Sequence, residues 1–218
     1  IFLELQDKGA NNINLVTPTH YVPHIIKALD TVKGLDIPIV YNCGGYESVH
    51  TVAFLRKKIQ CWLPDLKYSD AAAAERYSSA PDYFEKAVPA IEQMFRQTGP
   101  YEIGADGILK KGVLIRHLIL PGQMKNTKGV LEYVAETFRK GDVLFSLMRQ
   151  YTPHGRAEEF PEINRRITDE EYEEAEAYME ALGIEDGYIQ QKESSDQSFI
   201  PVFDGTGVER AAGSHTKK

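Results

Sequence analysis

The eight residues Val113-Leu114-Ile115-Arg116-His117-Leu118-Ile119-Leu120 decide how the rest of this 218-residue chain is read. Six of them are aliphatic with no polar alternation, the pattern of a strand covered on both faces, and such strands belong to parallel sheets flanked by helices. Outward from this run the chain repeats one unit. Upstream, Ile13 to Thr17 predicts a strand, and Val22, Ile25, Ile26, Leu29 and Val32 then recur at helical spacing, with Pro23 in the first turn and Gly34 near the stop. Ile37 to Tyr41 and Ile59 to Leu63 predict two further strands. The first precedes a short helix carrying Val52 and Leu55; the second precedes an Ala-rich helix over 70–77 and an amphipathic helix carrying Phe84, Val88, Ile91, Met94 and Phe95. Downstream come a helix over 127–139, a strand from Val143 to Leu147, and a polar loop reaching residue 167.

The connections have their own chemistry. Residues 99–112 are Gly-rich, and Ala105-Asp106-Gly107 predicts a hairpin turn in an insertion ahead of the central strand. Thr168-Asp169-Glu170-Glu171 is a capping box opening a helix that stops at Gly183. Residues 188–204 offer one more strand. The organisation expected is a barrel core over 1–190, a C-terminal extension over 191–210 and a disordered tail over 211–218. The opening Ile1-Phe2-Leu3-Glu4-Leu5-Gln6-Asp7-Lys8-Gly9 reads as the last two turns of a helix, without an N-cap and with Gly at C′. This predicts a fragment of a longer protein, lacking a strand upstream of Ile1.

Five strands alternating with helices imply right-handed βα units and a parallel sheet. With a strand before Ile1 the count becomes six: an α/β fold, an open, partial TIM-type barrel. A doubly wound sheet is the rival, although no glycine fingerprint for a dinucleotide follows any strand. Apolar residues make up 42% of the chain, as in ordinary globular proteins, and the net charge of −7 disfavours a nucleic-acid partner. No apolar run approaches the ~18–20 residues of a membrane span. Cys43 and Cys61, the only two cysteines, exclude a disulfide scaffold and point to a cytoplasmic setting.

Ligands of parallel α/β folds bind at the carboxyl ends of strands. Those ends are Thr17-Pro18-Thr19-His20, Asn42-Cys43-Gly44-Gly45, Asp65-Leu66-Lys67, an inward pair Arg116/His117 with Pro121-Gly122 beyond it, and Arg149-Gln150-Tyr151. Each has an ordinary reading beside the functional one. Asn42 and Asp65 suit turns and caps, and Gly44-Gly45 lacks the Lys-Ser/Thr of a phosphate loop. His20 and His24 stand at i, i+4 with no third metal ligand in view. Cys43 and Cys61 lack cluster spacing and read as buried small residues. Arg116 is different, because a permanent charge inside an apolar strand needs an anion, either an acid on a neighbouring strand such as Asp65 or a ligand. Lys67 is open to three readings: a ligand carboxylate's partner, an imine-forming amine in an aldolase-like barrel, or a solvated side chain.

Four stretches taken together, Asn12 to Tyr21, Tyr41 to Tyr46, Leu63 to Tyr68 and Ile115 to Gly122, resemble the pyruvate formate-lyase activating enzymes of the radical S-adenosylmethionine superfamily and their relatives; Ser146 to Pro153 adds support. The resemblance covers roughly residues 1–190. It implies an open barrel of six βα units and a [4Fe-4S] cluster held by a CxxxCxxC triplet, which here would lie upstream of Ile1. It also implies that S-adenosylmethionine is reductively cleaved to a 5′-deoxyadenosyl radical that takes hydrogen from a protein, such as a glycyl-radical enzyme, or from a small molecule. An electron donor such as a flavodoxin is implied with it.

Residue by residue, the resemblance sets Pro18-Thr19-His20 where the family has Gly-Gly-Glu against the methionine amino group, leaving Thr17, Thr19 or the backbone to act. Asn42 and Cys43 stand where the family has Asp-Thr near the methionine carboxylate. Asp65 and Lys67 match the family's Asp-Leu-Lys, Arg116 matches an arginine of the fifth family strand, and Gln150 or Tyr151 falls where a histidine faces the adenosine. The cofactor-binding set implied is therefore Thr17, Thr19, His20, Asn42, Cys43, Asp65, Lys67, Arg116, Gln150 and Tyr151, with the chain itself lacking the cluster and inactive alone. The competing expectations are a lyase or aldolase using Lys67 and an inactive folding module.

Overall fold

The structure, a computed structural model, describes residues 1–189. The strands are β1 (Ile13–Val16), β2 (Ile39–Cys43), β3 (Cys61–Pro64), β4 (Glu102–Ile103), β5 (Leu109–Leu118), β6 (Leu144–Met148) and β7 (Gly187–Ile189). The helices are α1 (Phe2–Asp7), α2 (Val22–Thr31), α3 (Val49–Phe54), α4 (Ala71–Ser78), α5 (Tyr83–Thr98), α6 (Met124–Thr137) and α7 (Asp169–Ala181). The sheet order is β1-β2-β3-β5-β6-β7, parallel throughout, with β4 antiparallel on β5.

This order removes the doubly wound alternative. A doubly wound sheet reverses direction at a switch point, whereas here each parallel strand follows its predecessor across the sheet. Successive right-handed crossovers then place the helices on one face, as in a barrel that has not closed. Side-chain alternation agrees. Ile13, Ile39, Tyr41, Cys43, Trp62, Val113, Ile115, Phe145 and Leu147 join residues of α2 to α7 in a single buried cluster. Trp62, Tyr41 and Phe145 are its largest fully buried side chains, and full burial of a side chain such as Phe145 stabilises by about 1.5–3 kcal/mol.

Six parallel strands lie within the described residues, β7 among them. The rest of the strand expected over 188–204, the extension over 191–210 and the tail over 211–218 lie outside the described residues. α1 ends as anticipated: Gly9 (φ 82°) closes it, with Gly9 N–H donating to the Gln6 carbonyl and Ala10 N–H to that of Leu5. The Gln6 side chain then ties α1 to the approach to β2, donating to the Gly34 carbonyl and accepting from Asp36 N–H.

β5 begins four residues earlier than the apolar run predicts. Its first residues form a hairpin with β4 around Gly107, and the strand turns from that hairpin into the parallel sheet at Gly112. Gly112 has φ 129°, and a Cβ there would lie 2.6 Å from that of Tyr101, so a side chain would force the hairpin base off the sheet. The capping box at the start of α7 is present in both directions, between Thr168 and Glu171.

No helix among the described residues is long and apolar enough to cross a membrane.

Candidate ligand site at the strand ends

Parallel registry sets which side chains share a face. Asn42 lies beside Leu63, Asp65 bridges to Arg116, and Arg116 lies beside Ser146. Asn42, Asp65 and Arg116 therefore project together from the face opposite the helices, at the carboxyl ends of β2, β3 and β5. There the Arg116 guanidinium donates from Nη2 to Asn42 Oδ1 (2.6 Å) and pairs with Asp65 Oδ1 (2.7 Å). The acid expected on a neighbouring strand is thus present, and it accounts for the placement of Arg116. Its Nε is buried without an acceptor among the described residues. The Lys67 ammonium stands 3.7 Å from Asp65 Oδ2 and reaches back over Gly44, where an added Cβ would lie 3.9 Å from Nζ. Two cations, Lys67 and Arg116, thus converge on one carboxylate.

The segment carrying Asp65 and Lys67 is held by nearly all of its backbone polar groups. Asp65 N–H donates to the Cys43 carbonyl and Leu66 N–H to that of Arg116. The Tyr83 hydroxyl lies 2.8 Å from both the Gly44 and Asp65 carbonyls and accepts from Lys67 N–H (3.0 Å). Asn126 donates to the Lys67 carbonyl and accepts from Ser69 and Asp70 N–H. Such anchoring fixes ligand-facing groups before a ligand arrives.

His117 departs from the expectation of an inward pair. Adjacent strand residues face opposite sides of a sheet, so with Arg116 on the strand-end face His117 turns toward the helices and is fully buried. There Nδ1 donates to the Leu66 carbonyl (2.7 Å), which can only accept; Nε2 therefore accepts from the Thr127 hydroxyl (3.0 Å). Burial lowers its pKa to about 4, the Leu66 bond opposing the shift, so the imidazole is neutral at pH 7.

The same alternation separates the cysteines. Cys43 faces the helices, where burial, then the nearby Glu47 carboxylate, pushes its thiol up to about 12. Registry opposite Val40 places Cys61 on the other face, and burial raises that thiol to about 11. The two cannot share a metal ion. No group of three His, Cys, Asp or Glu side chains among the described residues is placed to hold one.

The remaining predicted residues are dispersed. Thr17, held at φ 49°, donates its N–H to the Asn42 carbonyl, and His20 is exposed. Thr19 donates to Glu47 Oε1 at 2.5 Å. Gln150 is exposed, while Tyr151 is half-buried against the core, where desolvation and then Tyr68 raise its phenol pKa. No hydrogen bond joins Gln150 or Tyr151 to the Arg116 cluster among the described residues.

Two residues were missed by the sequence reasoning. Glu47 is 5% exposed and bridges the loops after β1 and β2; burial raises its pKa, opposed by Thr19 and Tyr41. An acid two residues after the Gly44-Gly45 strand end was the available signal. Tyr83 gave none, because its partners lie 16 and 39 residues away.

No protein-family model matches the chain. It is 29% identical over 183 residues to an uncharacterized protein of Methanocaldococcus jannaschii, a match covering 81% of this chain and 48% of that protein. The chain thus spans about half the length of this relative. Among solved structures it is similar to a domain of a pyruvate-formate lyase-activating enzyme from Bacteroides vulgatus. The TM-score is 0.54 at 14% identity, covering 83% of this chain and 98% of that one. That likeness shows the shared α/β fold, with the parallel sheet left open.

Proposed function

We propose that this chain is the barrel part of a radical S-adenosylmethionine enzyme related to the activating enzymes, and that the strand-end cluster binds S-adenosylmethionine. The observation carrying this reading is the convergence of Arg116, Asn42, Asp65 and Lys67 at the ends of β2, β3 and β5. Two cations on one carboxylate, one of them the exposed Lys67 ammonium, suit a ligand carboxylate. In this reading Lys67 and Arg116 bind the anionic end of the ligand, Asp65 holds both cations in place, and Asn42 orients the guanidinium. Thr17, Thr19, His20, Gln150 and Tyr151 line the remaining strand ends. Cys43 acts only as buried packing.

The described residues do not fit a [4Fe-4S] cluster, since Cys43 and Cys61 face opposite sides. The reading therefore assigns the cluster, which would supply the electron that cleaves the sulfonium, to ligands outside this sequence. The hydrogen donor, a glycyl-radical-type protein or a small molecule, and a flavodoxin-like electron donor belong to the same proposal. Lys67 is exposed and ion-paired rather than desolvated, which is not the setting of an imine-forming amine.

Calorimetric titration with S-adenosylmethionine tests the reading. Wild-type protein is expected to bind weakly, with Lys67→Ala and Arg116→Ala each weakening binding tenfold or more. Unchanged affinity in both variants, or no binding by the wild type at millimolar ligand, refutes the assignment.

A further inference from the structure

We propose that the Tyr83 hydroxyl is the positioning group of the strand-end cluster, locking the loop after β2 to the loop after β3 so that Asp65 meets Arg116 and Lys67 overhangs both. The purpose of this device rests on the ligand-binding reading above; its geometry does not.

Tyr83 opens α5, is 3% exposed, and its oxygen touches three backbone groups on two loops: the Gly44 carbonyl, the Asp65 carbonyl and Lys67 N–H. A phenol has one proton and two lone pairs. Lys67 N–H takes a lone pair, and the proton is shared between two carbonyls 2.8 Å away on either side. No other side chain among the described residues hydrogen-bonds both loops.

The ring is fixed as well. Tyr68 meets it edge-on at 5.4 Å and Tyr46 stacks on it at 6.0 Å, with the Tyr46 hydroxyl bound to Asp82. The backbone has been fitted to this oxygen. Gly45 has φ 81°, and a Cβ there would lie 1.9 Å from the Asp65 carbonyl oxygen and 2.9 Å from the Tyr83 oxygen. Only glycine lets the loops approach closely enough for one hydroxyl to serve both. Asp65 is thus held on both sides, its N–H by the Cys43 carbonyl and its carbonyl by Tyr83, which aims its carboxylate at Arg116.

The test is Tyr83→Phe, which keeps the ring and removes the oxygen, read by NMR without any ligand. In the wild type, Arg116 pinned between Asn42 and Asp65 gives resolved guanidinium proton resonances from slowed rotation, and the Lys67 amide exchanges slowly. Tyr83→Phe is expected to average the Arg116 resonances and to speed Lys67 exchange at least tenfold. The control is Tyr68→Phe, which removes the hydroxyl of a buried ring in the same aromatic group, bonded to Ser78, and should change neither signal. Unaltered Arg116 and Lys67 signals in Tyr83→Phe, or equal changes in Tyr68→Phe, overturn the proposal.

If Tyr83→Phe does not fold, the wild type decides. A Tyr83 hydroxyl proton that persists and shows a cross-peak to the Lys67 amide supports the role, and one lost to rapid solvent exchange refutes it. S-adenosylmethionine titration then reads the functional proposal separately, because absence of binding would leave these ligand-free signals untouched.

Discussion

Replacing Asp65 by Asn keeps the size of the side chain and one acceptor but deletes the carboxylate that meets Arg116. The guanidinium and carboxylate side chains are 22% and 18% exposed and 2.7 Å apart at their nearest atoms. Unit charges about 4 Å apart attract by about 4 kcal/mol at an effective dielectric of 20. Stranding one partner of a fully buried pair costs about 3–5 kcal/mol. Partial exposure screens the charge and Asn42 still accepts from Nη2, so we expect Asp65→Asn to cost about 2 kcal/mol. For a chain of this size that lowers the melting temperature by about 4–8 °C.

Urea denaturation of Asp65→Asn, Arg116→Met and an Asp65→Leu/Arg116→Met double variant measures the coupling. The double variant is expected within about 1 kcal/mol of the wild type, because neither charge is then left alone in the sheet. An Asn variant within about 0.5 kcal/mol of the wild type, or a double variant costing the sum of both singles, would refute the reasoning. Such an outcome would mean that water solvates Arg116 and that Asp65 is not its counter-ion.

Two predictions concern pH. His117 titrates at about 4 when folded and near the ordinary 6.5 when unfolded, so between these values the unfolded chain binds more protons. Stability should fall as pH drops from 6.5 through 4, by on the order of 3 kcal/mol, and then level off. His117→Gln should flatten that interval in urea titrations run across it, and equal slopes in both proteins would sink the assignment. Glu47 has its folded pKa raised by burial, so its charged form weakens the fold at neutral pH. Glu47→Gln, which still accepts from Thr19, should therefore be more stable at pH 7, by about 1 kcal/mol. The gain should vanish as pH falls toward 4.5, and a variant less stable than wild type at pH 7 would contradict it.

What the sequence determined by itself was periodic and local. The unbroken aliphatic run of β5, the alternation of strands with helical spacing, the glycine closing α1, the capping box of α7 and the turn at Ala105-Asp106-Gly107 each depend on neighbours within a few residues, and each is present. Asp65 as the counter-ion of Arg116 was legible too, because a charge in an apolar strand must find an anion next door. The direction of the sheet was not legible, since both architectures repeat the same βα unit and differ only in which edge each new strand joins. Arg116 and His117 could not both point inward, because adjacent strand residues alternate between faces; registry decided only which of the two joins Asn42 and Asp65. Cys43 was separated from the polar cluster by the same one-residue step. Glu47 and Tyr83 acquired their roles only when loops far apart in sequence met at the strand ends. A single phenol oxygen can join those loops because the closed-up backbone brings the Gly44 carbonyl, the Asp65 carbonyl and Lys67 N–H within 3.0 Å of it.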